Sequence, residues 1–163
     1  MATFAEAAAT IARFGPAAIL GAEHAANEMA GTFRSAVRDE MKIGHFLHTQ
    51  TPRLPGEPPA WISGDLKNSL VNEPAVEAGP GTFMSKSGPT VRWARIQELG
   101  GPMHAHTEKG MRWQQPPGVW HRSMAHDLPA RPYMLPAHDR LTDDGTLREV
   151  AAAAFAAFVD AVA

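Results

Sequence analysis

The distribution of proline most constrains how this 163-residue chain can fold. Most of its 14 prolines lie between Pro52 and Pro136, where glycine is also frequent. Proline has no amide hydrogen to donate, and it interrupts both helix interiors and central strands. We therefore expect the middle of the chain to consist of short elements joined by turns and loops, and the long helices to lie near the two ends.

Helical patterns lie on both sides of this middle region. Helices are predicted over 3–13, 16–43, 135–141 and 146–162. The Gly15–Pro16 pair ends the first helix, and Pro16 suits the first position of the second. Apolar residues recur at three- and four-residue spacing along the second and the last helix. The last helix can be capped by Thr146 or Asp144.

The middle region predicts short elements. Residues 44–60 are rich in proline and glycine and predict an extended arm or an ordered loop. The following stretch, SGDLKNSL, predicts a short helix that is capped by Ser63 and has Leu66 and Leu70 pointing inward. Strands are predicted over 70–78 and 91–99, with a turn at 79–81 and a loop at 85–89 between them.

Residues 101–129 predict a long, irregular loop with possible strands at 111–114 and 119–121. The order of helix, loop, strands and helix predicts an α+β fold. In this fold, a long N-terminal helix and a C-terminal helix pack on a small antiparallel β-sheet with long loops. The length fits one domain that covers residues 1–163.

The composition excludes several classes of protein. The chain has no cysteine, which excludes disulfides and thiolate chemistry, and it shows no targeting peptide. No window of about 20 apolar residues predicts a membrane span. Residues 86–140 hold eight Lys/Arg against four Asp/Glu, so the 15 basic and 17 acidic residues leave seven and thirteen for the flanks. Such a basic middle fits either a phosphate-facing surface or complementary charges between identical subunits.

A metal site would have to come from histidine, since neutral imidazole binds zinc. The candidates are His104, His106, His121 and His126. Two histidines in a loop rich in glycine and proline are a weak signal, and the chain has no H-E-x-x-H motif. We therefore predict no metal and no cofactor.

Nucleophilic and acid–base catalysis have equally weak candidates. Ser63 does not lie in a G-x-S-x-G turn, and the chain has neither of the common glycine-rich phosphate loops. Glu98 and Glu108 are the carboxylates considered for proton transfer, but nothing in the sequence pairs them. The sequence therefore predicts a protein that is not an enzyme.

The four tryptophans lie in the middle region, at Trp61, Trp93, Trp113 and Trp120. Tryptophan in such a region either closes a small core or anchors a contact between chains. For Trp93 the two interpretations have equal weight, whereas for Trp61 the proline-rich surroundings favour an interface.

Three motifs follow one another along the chain: SGDLKNSL from Ser63, WARIQELGG from Trp93, and PARPYMLPAHD from Pro129. In this order and spacing they resemble the tail-component family of long-tailed double-stranded-DNA bacteriophages, also called neck, tail-completion or head–tail joining proteins. The resemblance covers the chain from about Leu54 to its end. Trp93 stands where the family usually has tyrosine, and the stretch 102–128 is unusually long and rich in histidine and tryptophan.

The resemblance implies a structural virion protein that is made in the cytoplasm of a host bacterium and is located in the neck or tail. Copies would form a ring, most often of six, that completes the tail and leaves a channel for DNA. The partners would be other copies of the chain, the head connector or head-completion proteins, and a tail terminator or tail-tube protein. Contact with DNA would be transient and independent of sequence, and no membrane would be involved.

The motifs also have physical roles that do not depend on the family. The residues assigned to the motifs or to subunit contact are Ser63, Leu66, Trp93, Glu98, Gly100, Gly101, Arg131, Tyr133 and Leu135. The glycine pair permits a turn that needs a positive φ. Prolines hold the chain extended around Arg131, so that Tyr133 and Leu135 can insert as anchors. The most specific expectation is an ion pair between Arg131 and Glu98, within or between subunits.

Other functions remain open at this point. A tail terminator or a minor tail protein would make similar demands on the sequence. A small metal-dependent hydrolase would use the histidine-rich stretch 104–126, and a free DNA-binding module would use the basic middle region.

Overall fold

A computed structural model describes residues 4–43, 56–59, 64–114 and 120–161. The helices are α1 (Phe4–Ile43), α2 (Asp65–Asn68), α3 (Ala94–Leu99), α4 (Met134–Asp143) and α5 (Thr146–Asp160). The strands are β1 (Leu70–Gly79), β2 (Thr82–Pro89), β3 (Gly101–His104), β4 (Met111–Gln114), β5 (Trp120–Ser123) and β6 (Ala125–Leu128). The predicted α+β fold is confirmed. The predicted arm at 44–60 lies almost entirely outside the described residues, as do Ser63 and Trp61.

The chain divides into two compact units. Residues 1–36, 71–88 and 139–163 form unit 1, and residues 37–70 and 89–138 form unit 2. Helices α1 and α4 each contribute residues to both units. The prediction of a single domain stays a prediction.

In α1, the helix continues through Pro16, so the predicted break at Gly15–Pro16 is wrong. A proline inside a helix costs one backbone hydrogen bond and crowds the preceding turn, which weakens the helix but does not always end it. Alanine, which has the highest helix propensity, is abundant on both sides of Pro16. The predicted C-terminal bound at Ile43 is confirmed.

Unit 1 is built on close approach between helices. A Cβ atom added to Gly21 would lie 3.1 Å from the Phe155 ring and 3.3 Å from the Phe158 Cβ, so glycine makes room for α5. The His24 and Phe158 rings are 5.1 Å apart between centroids. On the sheet side, the Ala75 amide donates to the Asn27 Oδ1 at 2.8 Å. This bond ties β1 to α1, because it satisfies an amide of an edge strand with a helix side chain.

Helix α5 begins at Thr146 as predicted. The Thr146 amide donates to the Asp144 Oδ1 at 2.9 Å, but the residue at the N-cap position is Gly145 and not Thr146 or Asp144. The side-chain and backbone hydrogen bonds from Thr146 lower the pKa of the exposed Asp144 carboxyl. Gly145, at φ 77°, makes the turn between α4 and α5.

The hairpin of unit 1 consists of β1 and β2, which pair with each other and are joined by two residues. The predicted strand over 70–78 is confirmed. The loop predicted at 85–89 is wrong, because β2 extends to Pro89. In a two-stranded hairpin that is largely exposed, polar side chains occupy strand positions without any apolar alternation to reveal them.

In unit 2, the segment predicted as an irregular loop forms two nested pairs of antiparallel strands. β3 pairs with β6, from Gly101 opposite Leu128 to His104 opposite Ala125. β4 pairs with β5, from Met111 opposite Ser123 to Gln114 opposite Trp120. The Ala105 amide donates to the Met124 carbonyl at 2.9 Å and links the two pairs. The possible strand at 111–114 is confirmed, and the one at 119–121 is confirmed over its described residues 120 and 121, whereas the irregular structure predicted at 101–104 and 125–128 is wrong.

The strand predicted over 91–99 is also wrong. The chain makes a turn and then α3, of which only Ala94 is buried. The sequence ARIQEL consists of good helix formers, and its period-two pattern leaves neither face clearly apolar. In the part of the chain that the structure describes, no helix combines the length and apolarity needed to cross a membrane.

Candidate functional site

The second and third motifs meet where α3 ends and α4 begins. The Glu98 side chain accepts three backbone hydrogen bonds from the start of α4. Its Oε2 accepts from the Tyr133 amide at 2.8 Å and from the Met134 amide at 3.1 Å. Its Oε1 accepts from the Leu135 amide at 3.0 Å. The carboxylate therefore caps α4, although it comes from a residue 35 positions earlier in the chain.

This arrangement satisfies groups that would otherwise lack partners. The first amides of a helix have no acceptor within the helix, and the helix dipole favours a negative charge at that end. A further bond, from the Arg131 amide to the Gln97 carbonyl at 2.8 Å, holds the extended segment against α3. From the sequence we predict an ion pair between Arg131 and Glu98, and this ion pair stays a prediction. The hydrogen bonds described for Glu98 go to backbone amides instead.

Tyr133 is the largest fully buried side chain of this site, with 1% of its surface exposed. Its hydroxyl donates to the Ala94 carbonyl at 3.4 Å, so the ring also spans the distance from α4 to α3. Tyr133 was predicted to insert as an anchor, and it does so within unit 2. Burial, and secondly the negative charge of Glu98, raise the pKa of the Tyr133 phenol.

This raised pKa gives a testable result at alkaline pH. The folded protein keeps the phenol neutral, so its stabilising contribution is complete below the ordinary tyrosine pKa of about 10 and is lost as the pH rises above it. Tyr133 is the only tyrosine of the chain. We expect the phenolate band in the near ultraviolet to appear well above pH 10 and together with unfolding. A reversible titration centred near pH 10 in the folded protein would contradict this, and Tyr133→Phe is the blank.

The glycine pair holds α3 against the segment that precedes α4. Gly100 has φ 68° and ψ −174°, and Gly101 has φ 135°, so the predicted positive φ is confirmed. A Cβ atom on Gly100 would lie 2.6 Å from the Ala130 nitrogen and 2.8 Å from the Leu128 oxygen, whereas one on Gly101 would meet nothing within 4 Å. The Gly56 amide donates to the Ala130 carbonyl at 3.0 Å on the same segment. Gly100 thus permits a close approach of two backbones.

The remaining candidates divide into buried and exposed residues. Leu66 and Leu70 are 8% and 2% exposed, which confirms that both point inward. Trp93 is 44% exposed at the start of α3, and Leu135 is 59% exposed on α4. Leu135 therefore does not insert as an anchor within its own chain. Trp93 and Leu135 are available for contact with another chain, which stays a prediction.

The histidine-rich stretch brings no ligand set together among the described residues. His104 ends β3, His121 and His126 lie on β5 and β6, and all three are exposed, as is His106. Over the described ranges, no group of three or more His, Cys, Asp or Glu side chains could hold a metal ion. Glu108 is exposed in the turn before β4. The described residues of the histidine-rich stretch thus form no metal site of the kind that the hydrolase alternative needs.

The structure reveals one arrangement that sequence reasoning missed. In the β4–β5 pair, Arg112 lies directly opposite Arg122. Opposite residues of an antiparallel pair share a face, and so do residues two positions apart, which places Trp120 on the face of the two arginines. The Arg112 guanidinium lies 5.1 Å from the centre of the Trp120 ring. We call Arg112, Trp120 and Arg122 the Arg–Trp face.

The Arg–Trp face has no carboxylate of its own in the described part of the chain. Arg122 donates to the Glu108 carbonyl at 3.5 Å, and Arg112 stacks over Trp120. Both arginines are exposed, and Trp120 is 61% exposed. The sequence shows alternating positions in RWQ and WHRS, but these positions indicate a shared face only once the register of the two strands is known.

The described site is built from binding groups: a carboxylate held by backbone amides, a close backbone contact at Gly100, and exposed aromatic and basic side chains. No family model matches the sequence, and no curated protein or solved structure matches the chain.

Proposed function

We propose that the chain is a structural protein of a bacteriophage neck. Copies form a ring, of six by resemblance, that completes the tail and joins it to the head connector. The ring leaves a channel for DNA and acts by binding alone. The partners are the next copy in the ring, the head-completion or connector proteins on one side, and the tail terminator or tail-tube protein on the other.

One observation carries this proposal: the second and third motifs of the resemblance pack against each other, in the unit that also contains the first. Residues 64–70, 93–101 and 129–138 all belong to unit 2. Glu98 of the second motif caps the helix that the third motif starts, and Gly100 lies against Ala130. The second and third motifs are in direct contact although about 30 residues separate them, and the first motif belongs to the same unit. Their packing supports the interpretation of the three motifs as parts of one inherited structure.

Exposed apolar side chains also support an assembled protein. In unit 2 these include Leu99, Trp120, Met124 and Leu135, all more than half exposed. Single exposed apolar residues are common in monomers, but an aromatic and three large aliphatic side chains in one unit are typical material for a subunit interface. The surplus of basic residues over 86–140 is compatible with a lumen that DNA passes through.

The location of the protein in the virion tests the proposal. Gold-labelled antibodies against the chain are applied to phage particles from the strain that carries its gene. We expect label at the junction of head and tail. Label on the capsid or at the distal tail tip would contradict the proposal. Mass spectrometry of separated heads and tails shows whether the particles contain the chain, and particles that contain it but carry no label would also contradict the proposal.

Deleting the gene separates tail completion from the alternative of a tail terminator. A completion or joining protein acts after the tail has reached its length, so the lysate should contain filled heads and free tails of normal length. A terminator stops tail growth, so its loss should give tails of abnormal length. A lysate with intact, infective particles would contradict both functions, and the gene supplied from a plasmid is the control.

A further inference from the structure

We propose that the β1–β2 hairpin of one copy docks, with the end that carries Glu77, onto the Arg–Trp face of the next copy. This inference rests on the proposed function, which supplies the ring. It assigns the two surfaces that hold neighbouring copies together in that ring. The occupant of the Arg–Trp face is therefore a second copy of this chain.

The charges of the two units support this pairing. Unit 1 holds five Lys/Arg and ten Asp/Glu, a formal charge of −5, and unit 2 holds ten and seven, a formal charge of +3. The two values sum to the formal charge of −2 for the whole chain. The hairpin belongs to the acidic unit and the Arg–Trp face to the basic one. Two copies can thus present opposite charges to each other, which favours encounter and fixes orientation.

The Arg–Trp face is better suited to a bound anion than to open solvent. Like charges placed directly opposite each other on two strands destabilise the pair, and Arg112 and Arg122 are placed in this way. A carboxylate between them would remove that repulsion and could accept from both guanidinium groups. Trp120 adds a large apolar surface beside the charges, a combination that is enriched at the centres of protein interfaces.

The hairpin offers the complementary groups. Val76, Glu77 and Ala78 are consecutive and all exposed, so the far end of β1 is covered on neither face. Val76 is 57% exposed, and Met84 is exposed on β2. Glu73 already faces Lys86 at 4.0 Å, whereas Glu77 has no cationic partner among the described residues. The hairpin end therefore carries Glu77 on one face of β1 and the exposed Val76 on the other, and exposed Met84 lies on the neighbouring strand.

A nucleic acid fits the Arg–Trp face less well. Proteins that bind duplex DNA tightly make about 6–10 phosphate contacts, and this face provides two arginines. A protein carboxylate needs no more than the two guanidinium groups.

The proposed contact is heterologous, because the hairpin and the Arg–Trp face are different surfaces of the same chain. Such contacts close into rings or continue as filaments, and each copy then uses both surfaces. The two strands of the hairpin comprise 18 residues, fewer than the roughly 20–30 residues that each side of a standard interface contributes. A single contact is therefore weak, and assembly depends strongly on its charges and on ring closure.

Charge reversal tests the contact with the full-length chain. Light scattering and sedimentation velocity measure the oligomer formed by the wild type, by Glu77→Lys and by the double variant Arg112→Glu/Arg122→Glu. We expect each variant to need at least about tenfold more protein to assemble, since close charge pairs couple across interfaces by more than 1.4 kcal/mol. For the wild type, raising the salt from about 0.1 M to about 1 M shortens the Debye length from about 10 Å to about 3 Å and should have the same direction of effect.

The decisive measurement is an equimolar mixture of the two variants. In a ring of alternating copies, each lysine-bearing hairpin meets a glutamate-bearing face, and each native hairpin meets a native face. We therefore expect the mixture to regain assembly at wild-type concentrations. Matched controls reverse exposed charges elsewhere, with Glu28→Lys for the hairpin and Arg148→Glu for the face, and these should assemble normally. Circular dichroism and thermal unfolding confirm that every variant is folded.

Several outcomes would overturn the inference: a wild type that stays monomeric, reversed variants that assemble normally, or a mixture that fails to regain assembly. An Arg112→Glu/Arg122→Glu chain that assembles but no longer shifts a labelled DNA duplex would assign the face to nucleic acid instead. The proposed function fails separately, if antibodies place the chain outside the neck. A salt-insensitive ring located in the neck would reject this contact and retain the function.

Discussion

Replacing Gly100 with alanine should lower the free energy of unfolding by about 3 kcal/mol or more. The backbone at φ 68° and ψ −174° lies in a region open essentially to glycine alone, and strain there costs about 1–3 kcal/mol. The new Cβ would also lie 2.6 Å and 2.8 Å from backbone atoms of Ala130 and Leu128, which cannot move as a side-chain end could. Overpacking of this kind adds about 1–3 kcal/mol. Urea unfolding followed by tryptophan fluorescence and circular dichroism measures the loss.

A second substitution measures the cost of a positive φ without a collision, at a backbone conformation that alanine tolerates better than that of Gly100. Gly145 has a similar φ of 77°, but a Cβ there would meet nothing within 4 Å. Gly145→Ala should therefore show only the cost of a left-handed alanine, about 1–2 kcal/mol. Equal losses for the two variants would mean that the contact between Gly100 and Ala130 contributes nothing, and would remove one link between the motifs. In thermal unfolding, each kcal/mol corresponds to about 2–4 °C for a chain of this size.

The long elements could be predicted from the sequence because their periodicity extends over many residues. The apolar repeat that leads to Ile43 and the face that begins at Thr146 each persist for several turns, and both helices form. The predicted break at Pro16 was wrong because one unfavourable residue does not outweigh the alanine-rich helix around it. Local rules judge each residue singly, whereas a helix forms cooperatively.

The pairing of the short strands, and the existence of β3 and β6, could not be assigned from the sequence. β3, β4, β5 and β6 have four residues each, too few to establish an alternating pattern. Their register is set by partners 6 to 27 positions away, from Gln114 with Trp120 outward to Gly101 with Leu128, and only the fold brings those partners together. The Arg–Trp face exists because of that register, so it could not be found before the strands were known.

Part of the role of Glu98 could be predicted from the sequence. The motifs indicated that its carboxylate and the segment around Arg131 belong together, and the structure brings them into contact. The acceptor was identified correctly, but the donors found are backbone amides, including those of Tyr133 and Met134. Every residue except proline carries such an amide, so no letter in the sequence marks which ones lack a partner. A charged side chain such as Arg131 is the more visible candidate.

Replacing Glu98 with alanine should destabilise the chain by about 2–4 kcal/mol. Three amides at the start of α4 would lose their acceptor together, and a hydrogen bond to a charged group contributes about 1.5–3 kcal/mol. The three contributions do not add fully, because water reaches part of this half-buried site once the side chain is removed. Chemical unfolding measures the total loss. Hydrogen exchange should show faster exchange at Tyr133, Met134 and Leu135 than in the wild type.

Two further variants determine whether the loss comes from capping. Glu98→Gln keeps one carbonyl oxygen in place but removes the charge, so it should recover part of the stability and show intermediate exchange at the start of α4. Glu108→Ala removes an exposed carboxylate from the turn before β4 and should change stability by less than about 0.5 kcal/mol. If Glu98→Ala were as stable as Glu108→Ala, Glu98 would not hold α3 and α4 together. The packing of the motifs would then depend on Tyr133 and Gly100 alone, and the observation that carries the proposed function would lose its strongest contact.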